Sequence, residues 1–235
     1  MSSNQSVYEY GVHAVYAGYK TIVNKGLVIG SWGNVSMRKE NVYITPSGIP
    51  LAQMTGDSII QVSMEGEVIE GDGKPSVDTP IHLALYSQWD WVGGVVHTHS
   101  PYCTTFAQAK QPIPCIGTTH ADHFYGDVPV VYDMTEAEIA TDFEKNCGLN
   151  IVNYFLEVGL DPKTIPAALL PNHGPVVWGR TTDEAIENAV VLEEIAKLAY
   201  RSLVLANGSG LERLDKHLLD KHYLRKHGDD KYYGQ

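Results

Sequence analysis

The sequence has few cysteines, few basic residues and no long apolar run, and each of these absences excludes a class of protein. Its three cysteines, Cys103, Cys115 and Cys147, form no Cys-x-x-Cys pair, which argues against a disulfide framework and against a thiolate zinc site. The sequence has only 17 Lys and Arg against 28 Asp and Glu, which gives a net charge of -11. No basic stripe is therefore available to bind nucleic acid. No stretch approaches the length of a membrane span.

Targeting and nucleotide-binding signals are also lacking. Residues 1–5 have neither the basic start nor the apolar core of a secretory signal, and with unpaired cysteines this predicts a cytoplasmic protein. Neither a P-loop nor a Gly-x-Gly-x-x-Gly run is present, which argues against a nucleotide cofactor. With 235 residues, 43% of them hydrophobic, the chain is long enough for one well-buried core. No repeat or linker divides it, so we predict a single domain over residues 1–235.

The spacing of apolar residues predicts a layered α/β domain. Short strands separated by turns between residues 32 and 70 are typical of hairpins, which favours a mixed, mostly antiparallel sheet over a doubly wound parallel one. Strands are predicted over residues 32–37, 41–45, 58–63, 67–70 and 92–98, with two more within 167–178. Helices are predicted over residues 7–25, 79–86, 101–109, 135–158, 182–205 and 211–227.

The run His97-Thr98-His99 carries the clearest chemical signal. It follows a short β-branched segment that predicts a buried strand. On a strand, residues i and i+2 face the same side, roughly 6.5–7 Å apart, so both imidazoles can reach one ion. His173, in a Pro-Asn-His-Gly-Pro turn, would supply a third from another strand-like segment. These could be ordinary histidines at strand ends, but three imidazoles with an open position are typical of a catalytic divalent metal site.

Several polar residues accompany these histidines. Asp78 precedes a helix start, where a carboxylate could bind the metal, orient a ligand or cap the helix. Ser47 and Gly48 follow a strand, and Ser76 and Asn34 also stand at predicted turns or strand ends. Hydroxyls and backbone N–H groups around a glycine suit a phosphate, although each of these residues is also ordinary in a turn.

Two further segments are polar. Residues 117–123 contain Asp122, which could act as an acid or base or could simply form an Asx turn. Residues 221–227 form a basic stretch in an acidic protein. Such a stretch is usually a solvated helix face, but it could also reach a phosphate on a neighbouring subunit.

Taken together, these segments resemble the class II aldolase/epimerase family, and within it the epimerases. The resemblance implies a three-layer α/β/α sandwich with a mostly antiparallel central sheet. It also implies a fourfold-symmetric homotetramer with active sites between subunits. The matching segments are residues 31–36, 46–48, 78–80, 96–100, 117–122, 173–175 and 219–235.

The resemblance also implies a role for individual residues. The implied ligands of a divalent ion are Asp78, His97, His99 and His173; imidazole ligation favours zinc, with manganese as the alternative. Asp122 and Tyr233 match the family's acid/base pair, which acts across a subunit interface. The implied substrate and phosphate site consists of Asn34, Ser47, Gly48, Ser76 and Thr118, with His222 and Arg225 reaching in from a neighbour.

Three positions bear on the choice within the family. Asp78 stands where the related fuculose-phosphate aldolases carry a glutamate, which favours an epimerase. Thr45 and Val77 stand where epimerases commonly carry Lys and Ser, and Thr45 is also seen in the aldolase branch. Because charge-assisted hydrogen bonds are the stronger kind, these two departures predict weaker phosphate binding.

The implied activity is the interconversion of L-ribulose 5-phosphate and D-xylulose 5-phosphate. The C3–C4 bond would be cleaved and re-formed with a metal as Lewis acid. Asp122 would serve the L-ribulose side, and Tyr233 would protonate the new alkoxide. The alternatives are a class II aldolase, a related sugar-acid phosphate decarboxylase, and a non-catalytic adducin-like scaffold, which we expect to lack the metal histidines.

Overall fold

A computed structural model describes residues 3–207 and 211–233 of the chain. Gly234 and Gln235, the end of the predicted tail motif, lie outside this range. Seven strands form one sheet: β1 (Gly33–Arg38), β2 (Val42–Ile44), β3 (Ile60–Val62), β4 (Val68–Glu70), β5 (Gly94–Thr98), β6 (Ala167–Leu170) and β7 (Gly174–Gly179). Their order is β4-β3-β2-β1-β5-β7-β6.

The sheet confirms the predicted strand arrangement. Every pair of neighbouring strands is antiparallel. A parallel element is limited, within the described residues, to the isolated bridge between Val130 and Leu169. The seven-stranded sheet is therefore antiparallel, in agreement with the hairpin-like spacing of the sequence.

Eight α-helices accompany the sheet in the described part of the chain. Among them, no helix combines the length and apolar character needed to cross a bilayer. The helices are α1 (Ser3–Asn24), α2 (Thr79–Gln88), α3 (Pro101–Ala109), α4 (Thr118–Ala121), α5 (Glu136–Ala140), α6 (Phe143–Val158), α7 (Thr182–Leu205) and α8 (Lys216–His227), and two short 3₁₀ turns span Leu51–Gln53 and Gly56–Ser58.

Helix α1 begins at Ser3 rather than at residue 7, and α4 was not predicted. Two other helices differ for a reason that side chains explain. The helix predicted over residues 135–158 is interrupted between α5 and α6, where Asn146 Nδ2 donates to Glu138 O and to Thr141 Oγ1. The last helix begins at Lys216 rather than at residue 211, because the carboxylate of Asp215 accepts from the backbone of its first turn. In both places a side chain bonds the backbone locally and sets a helix boundary, which apolar spacing does not reveal.

Alternate residues of β1 face opposite helix layers, as the pleat of a strand requires. The Ser36 hydroxyl contacts His82 and Tyr86 of α2. Val35 faces the other side, where it lies beside Gly18 of α1. Helices α2 and α6 pack together on the first face, and α1 and α7 pack together on the second. The chain therefore forms the three-layer α/β/α sandwich that the resemblance implies.

Three large aromatic side chains join α2, α6 and the sheet. Trp89 lies 4.9 Å from Trp178 and 5.7 Å from Phe155, and Phe155 lies 5.4 Å from Trp178, between ring centroids. The indole of Trp178 is fully buried and donates to Pro162 O. Such aromatic pairs contribute about 0.5–1.5 kcal/mol each beyond their buried area. These contacts hold α2 in place, and Asp78 directly precedes that helix.

Gly148 allows α6 to approach α2 closely, and its replacement tests this packing. A Cβ at this position would lie 2.7 Å from Ala84 Cβ and 2.9 Å from Ile81 O. We expect Gly148→Ala to lower the free energy of unfolding by about 1–3 kcal/mol through overpacking, although alanine is the better helix former. Urea unfolding monitored by circular dichroism measures this change.

The matched control is Gly117→Ala. Gly117 has an extended backbone, and an added Cβ there would meet no atom within 4 Å. This variant should unfold within about 0.5 kcal/mol of the parent. Equal stability of the two alanine variants would contradict the close approach of α6 to α2.

Candidate active site

Strand β5 places His97 in the interior of the sheet, between β1 and β7. Its pairing partners are Asn34 on β1 and Val176 on β7. His99 follows two residues later, directly after the strand. The observed strand, Gly94–Thr98, confirms the strand that its β-branched residues predict over 92–98.

The hairpin of β6 and β7 supplies the third histidine. Asn172 adopts the left-handed conformation, with φ of 60°, and asparagine tolerates that region better than most residues. Its N–H donates to Ala107 O, and the N–H of His173 donates to Leu170 O. The next residue must be glycine, because a Cβ on Gly174 would lie 2.5 Å from Thr98 O. This close approach brings His173 to the end of β5.

The three imidazoles converge as predicted. Their ring centroids lie 4.6–5.0 Å apart, and one nitrogen from each lies within 4.8 Å of the others. His97 Nε2 lies 3.1 Å from His99 Nε2, close to the ~3.3 Å that separates two nitrogens bound to one tetrahedral zinc ion. His173 Nδ1 is buried and has no hydrogen-bond partner among the described residues. These observations fit a site for a divalent ion.

Burial keeps these histidines in the form that binds metals. It lowers the pKa of His97 to about 3, and it also lowers the pKa of His99 and of His173. Since the neutral His97 ring uses Nδ1–H to donate to Pro175 O at 2.9 Å, its Nε2 carries the free lone pair. A carbonyl partner of this kind orients a histidine ligand.

Asp78 lies beside the triad and does not cap α2. It occupies the N-cap position, but its side chain makes no capping hydrogen bond. Instead, Oδ2 accepts from Asn34 Nδ2 at 2.7 Å and lies 3.9 Å from His97 Nε2. Burial opposes ionisation of this carboxyl, but His97 and the Asn34 hydrogen bond bring its pKa below the ordinary value. Asp78 is thus a carboxylate held within reach of an ion bound by the histidines.

Two adjoining loops bring the predicted phosphate residues together. The N–H of Ser47 donates to Lys74 O, and the N–H of Ser76 donates to Thr45 O. Gly48, exposed and with φ of 70°, follows Ser47. Because Ser76 Oγ accepts from the N–H of Asp78, these loops lie next to the histidine triad.

The departures at positions 45 and 77 have different surroundings. Thr45 is buried, and its hydroxyl accepts from the N–H of Val35 at 3.3 Å, so it joins two strands. Val77 is 63% exposed. Neither the buried Thr45 hydroxyl nor the Val77 side chain offers a charge to a phosphate.

A second polar cluster centres on Asp122, which directly follows α4. Its two carboxylate oxygens accept from Arg225 at 3.0 and 2.8 Å, and one of them lies 3.1 Å from His222 Nδ1. The Arg225 guanidinium lies 4.4 Å from the centre of the Tyr233 ring. Thr118 begins α4, and its carbonyl accepts from the N–H of Asp122. These predicted site residues are thus assembled within one chain.

Asp122 is an ionised carboxylate in this cluster. Partial burial raises its pKa, but the hydrogen bonds from Arg225 and His222 outweigh that effect, so the pKa lies below its ordinary value. Its side-chain partners all lie on α8, not on the strands that carry the histidines. The lowered pKa keeps Asp122 ionised, and the hydrogen bonds from Arg225 make it a weaker base than a free carboxylate.

Three polar residues next to Asn34 were not predicted as site residues. His82 Nε2 lies 2.6 Å from Asn34 Oδ1, and the Ser36 hydroxyl lies 2.6 Å from His82 Nδ1 and 2.7 Å from the Tyr86 hydroxyl. Burial lowers the pKa of His82 to about 4 and raises that of Tyr86. The sequence does contain a signal for these contacts. His82 and Tyr86 are polar residues four apart on an apolar helix, and Asn34 and Ser36 are polar residues two apart on a strand, so each pair lies on one side of its element.

Comparison with known proteins identifies the family. The profile described as class II aldolase and adducin N-terminal domain matches residues 13–200. The chain belongs to this family. The match contains the histidine triad and Asp122, whereas α8 and Tyr233 lie beyond it.

Individual relatives agree with this assignment. L-ribulose-5-phosphate 4-epimerase UlaF of Salmonella paratyphi A is 44% identical over 215 residues, which cover 89% of this chain and 92% of the relative. The structure of an L-fuculose 1-phosphate aldolase superposes with a TM-score of 0.74 at 23% identity, covering 94% of this chain and 95% of that one. YgbL of Klebsiella pneumoniae superposes with a TM-score of 0.67 at 29% identity, covering 94% and 99%.

The buried histidines predict a pH-dependent stability of the metal-free protein. The pKa values of His82 and His97 are about 4 and about 3 in the folded state, below the ordinary value of 6.5 that applies when the chain is unfolded. Between pH 6.5 and 5 the unfolded chain therefore binds more protons, and the free energy of unfolding should fall as the pH falls. The contribution of each such histidine rises from about 0.7 kcal/mol per pH unit at pH 6.5 to about 1.4 kcal/mol per pH unit near pH 5.

Urea unfolding in the presence of a chelator at pH 7, 6 and 5 measures this slope. His82→Gln removes one of the titrating groups, so its stability should decline less steeply than that of the parent. Parallel slopes for the two proteins would show that His82 does not contribute.

Proposed function

We propose that this protein is a metal-dependent sugar-phosphate epimerase that interconverts L-ribulose 5-phosphate and D-xylulose 5-phosphate. The observation that carries the proposal is the convergence of His97, His99 and His173 beside Asp78. It occurs in a chain that is 44% identical to a protein named L-ribulose-5-phosphate 4-epimerase. An adducin-like scaffold would have no use for three neutral imidazoles that converge on one point.

The first part of the proposed machinery is a metal centre. His97, His99 and His173 would hold a divalent ion, with Asp78 as a fourth ligand. The ion, zinc in our proposal and manganese as the alternative, would supply Lewis-acid polarisation of sugar oxygens. His97 is oriented for this task by the carbonyl of Pro175.

The second part is a pair of groups that move protons. Carbon 4 of the substrate has no acidic proton next to a carbonyl, so its inversion requires cleavage and re-formation of the C3–C4 bond. A base must remove the proton of the C4 hydroxyl, and after the aldehyde has turned, an acid must return a proton to the new alkoxide. Asp122 serves the L-ribulose side, and Tyr233 protonates the alkoxide. Asp122 is ionised in the structure, which is the form that a base requires.

The third part is a phosphate site. Ser47, Gly48 and Ser76 would bind phosphate oxygens through their hydroxyls and the backbone of the adjoining loops. Asn34 uses one N–H on Asp78, and the second N–H of the same amide would face the phosphate. Thr118, His222 and Arg225 would contact the substrate from the Asp122 cluster.

We further propose that the active site is completed between the subunits of a fourfold-symmetric homotetramer. In this arrangement the Asp122 cluster of one subunit faces the histidine triad of its neighbour. The organisation of Asp122, His222, Arg225 and Tyr233 as one unit, held by contacts to α8, supports this proposal. We also propose that residues 1–235 form a single domain that works in the cytoplasm; one continuous sheet supports the single domain.

Nuclear magnetic resonance of the purified protein with L-ribulose 5-phosphate tests the activity. The metal-loaded protein should produce D-xylulose 5-phosphate until equilibrium is reached. His97→Ala combined with His99→Ala should lose both bound metal, measured by elemental analysis, and turnover, because a single imidazole cannot retain the ion. Accumulation of dihydroxyacetone and glycolaldehyde phosphate as the main products would show an aldolase instead. Release of carbon dioxide from a sugar-acid phosphate would show a decarboxylase.

Substitutions in the Asp122 cluster test the proton-transfer roles. Asp122→Asn and Tyr233→Phe should each lower kcat about 10²–10⁴-fold, the usual contribution of a general acid or base, while the metal content stays unchanged. Tyr232→Phe is the matched control, since Tyr232 is the neighbouring exposed tyrosine and its ring lies near Lys221. Near-normal epimerisation by Asp122→Asn and Tyr233→Phe would contradict the assignment.

A further inference from the structure

A line of buried polar side chains leads from α2 to the candidate metal centre. It runs from Tyr86 through Ser36, His82 and Asn34 to Asp78. The first four of these residues are 0–3% exposed. Each contact in the line is a hydrogen bond of 2.6–2.7 Å between side chains.

Hydrogen-bond chemistry gives this line a single direction. An ionised Asp78 can only accept, so Asn34 turns its Nδ2 towards Asp78 and its Oδ1 towards His82. His82 must then carry its proton on Nε2 in order to donate to that oxygen. Its Nδ1 consequently accepts from the Ser36 hydroxyl, and Ser36 Oγ in turn accepts from the hydroxyl of Tyr86. One orientation of the amide and one tautomer of the imidazole satisfy every member.

We propose that Tyr86, Ser36 and His82 are positioning residues that hold Asn34, and through it the Asp78 carboxylate, in the orientation used at the metal centre. The proposal rests on the metal centre of the proposed function but not on the identity of the sugar. Groups that hydrogen-bond a metal site's ligands commonly set the orientation of those ligands and the affinity for the ion.

The position of Asp78 at the end of the line shows that these residues do more than provide hydrogen-bond partners for one another. The Asp78 side chain is 15% exposed and lies 3.9 Å from His97 Nε2. It makes no capping bond to α2, so Asn34 is the side chain that orients its Oδ2. Apolar residues at positions 36, 82 and 86 would serve a core equally well without the risk of unsatisfied groups.

Two substitutions of His82 test the contacts of its two ring nitrogens separately. In His82→Gln the side-chain amide nitrogen reaches the position of Nε2, so the donor to Asn34 remains. In His82→Asn the shorter side chain reaches only the position of Nδ1, so the contact with Ser36 remains and the donor to Asn34 is lost. Both replacements are polar and neutral, which makes them a matched pair.

The readout is the binding of Co²⁺, followed by chelator competition and by its visible absorption. We expect His82→Asn to bind Co²⁺ about 10–100-fold more weakly than the parent and with a changed spectrum, and His82→Gln to stay within about threefold. Tyr86→Phe should show a smaller loss than His82→Asn, because it removes a hydroxyl two links further away. Tyr19→Phe removes a buried phenol of α1 outside the line and should leave Co²⁺ binding unchanged.

Equal losses of affinity in His82→Gln and His82→Asn would overturn the proposal, as would a folded His82→Asn protein with unchanged affinity and spectrum. Indistinguishable results for Tyr86→Phe and Tyr19→Phe would remove Tyr86 from the line. If the His82 variants do not fold, Ser36→Ala decides, since it removes the donor to Nδ1, and unchanged Co²⁺ affinity in that variant overturns the proposal.

The measurement contains no sugar, so it separates this inference from the proposed function. A parent protein that fails to epimerise but whose Co²⁺ affinity depends on His82 would sink the proposed activity and support the positioning role. An active epimerase whose Co²⁺ affinity and spectrum do not depend on His82 would support the proposed activity and contradict the positioning role.

Discussion

The pairing of β5 between β1 and β7 is the constraint on which the site depends. It places His97 opposite Asn34 on one side and Val176 on the other. A slip of one residue would turn His97 to the face covered by α1 and α7. The same register allows Pro175 O to accept from His97 Nδ1 and brings the turn with His173 against the end of β5. Sheet pairing therefore sets the ligand geometry, with side-chain rotamers adjusting within it.

Helix α2 connects the stability of the protein with its chemistry. Its apolar residues bury one face of the sheet. Its C-terminal end is held by contacts of Trp89 with Phe155 and Trp178. The same helix carries His82 and Tyr86, which satisfy the polar residues of β1 on that face. Since buried polar groups without partners are costly, the helix can dock in one position only. That position also places Asp78 beside the triad.

The two polar clusters have different electrostatic characters. The histidine triad contains one buried and two half-buried imidazoles, and neutral imidazoles are the form that binds metals. The Asp122 cluster is partly buried and pairs a carboxylate with the Arg225 guanidinium and the His222 imidazole. In the proposed function, the histidine cluster polarises bonds and the Asp122 cluster transfers protons.

The sequence by itself determined the strand before His97, the helix from Thr182 to Leu205, the antiparallel character of the sheet and the set of histidines, because each of these is recorded in local spacing. It did not reveal the break between α5 and α6, where side chains bond the backbone. Nor did it reveal the roles of Ser36, His82 and Tyr86. Their contacts join positions 46–50 residues apart. Local periodicity tells which face a side chain occupies, whereas its partner depends on strand order and helix docking, which only the tertiary structure decides.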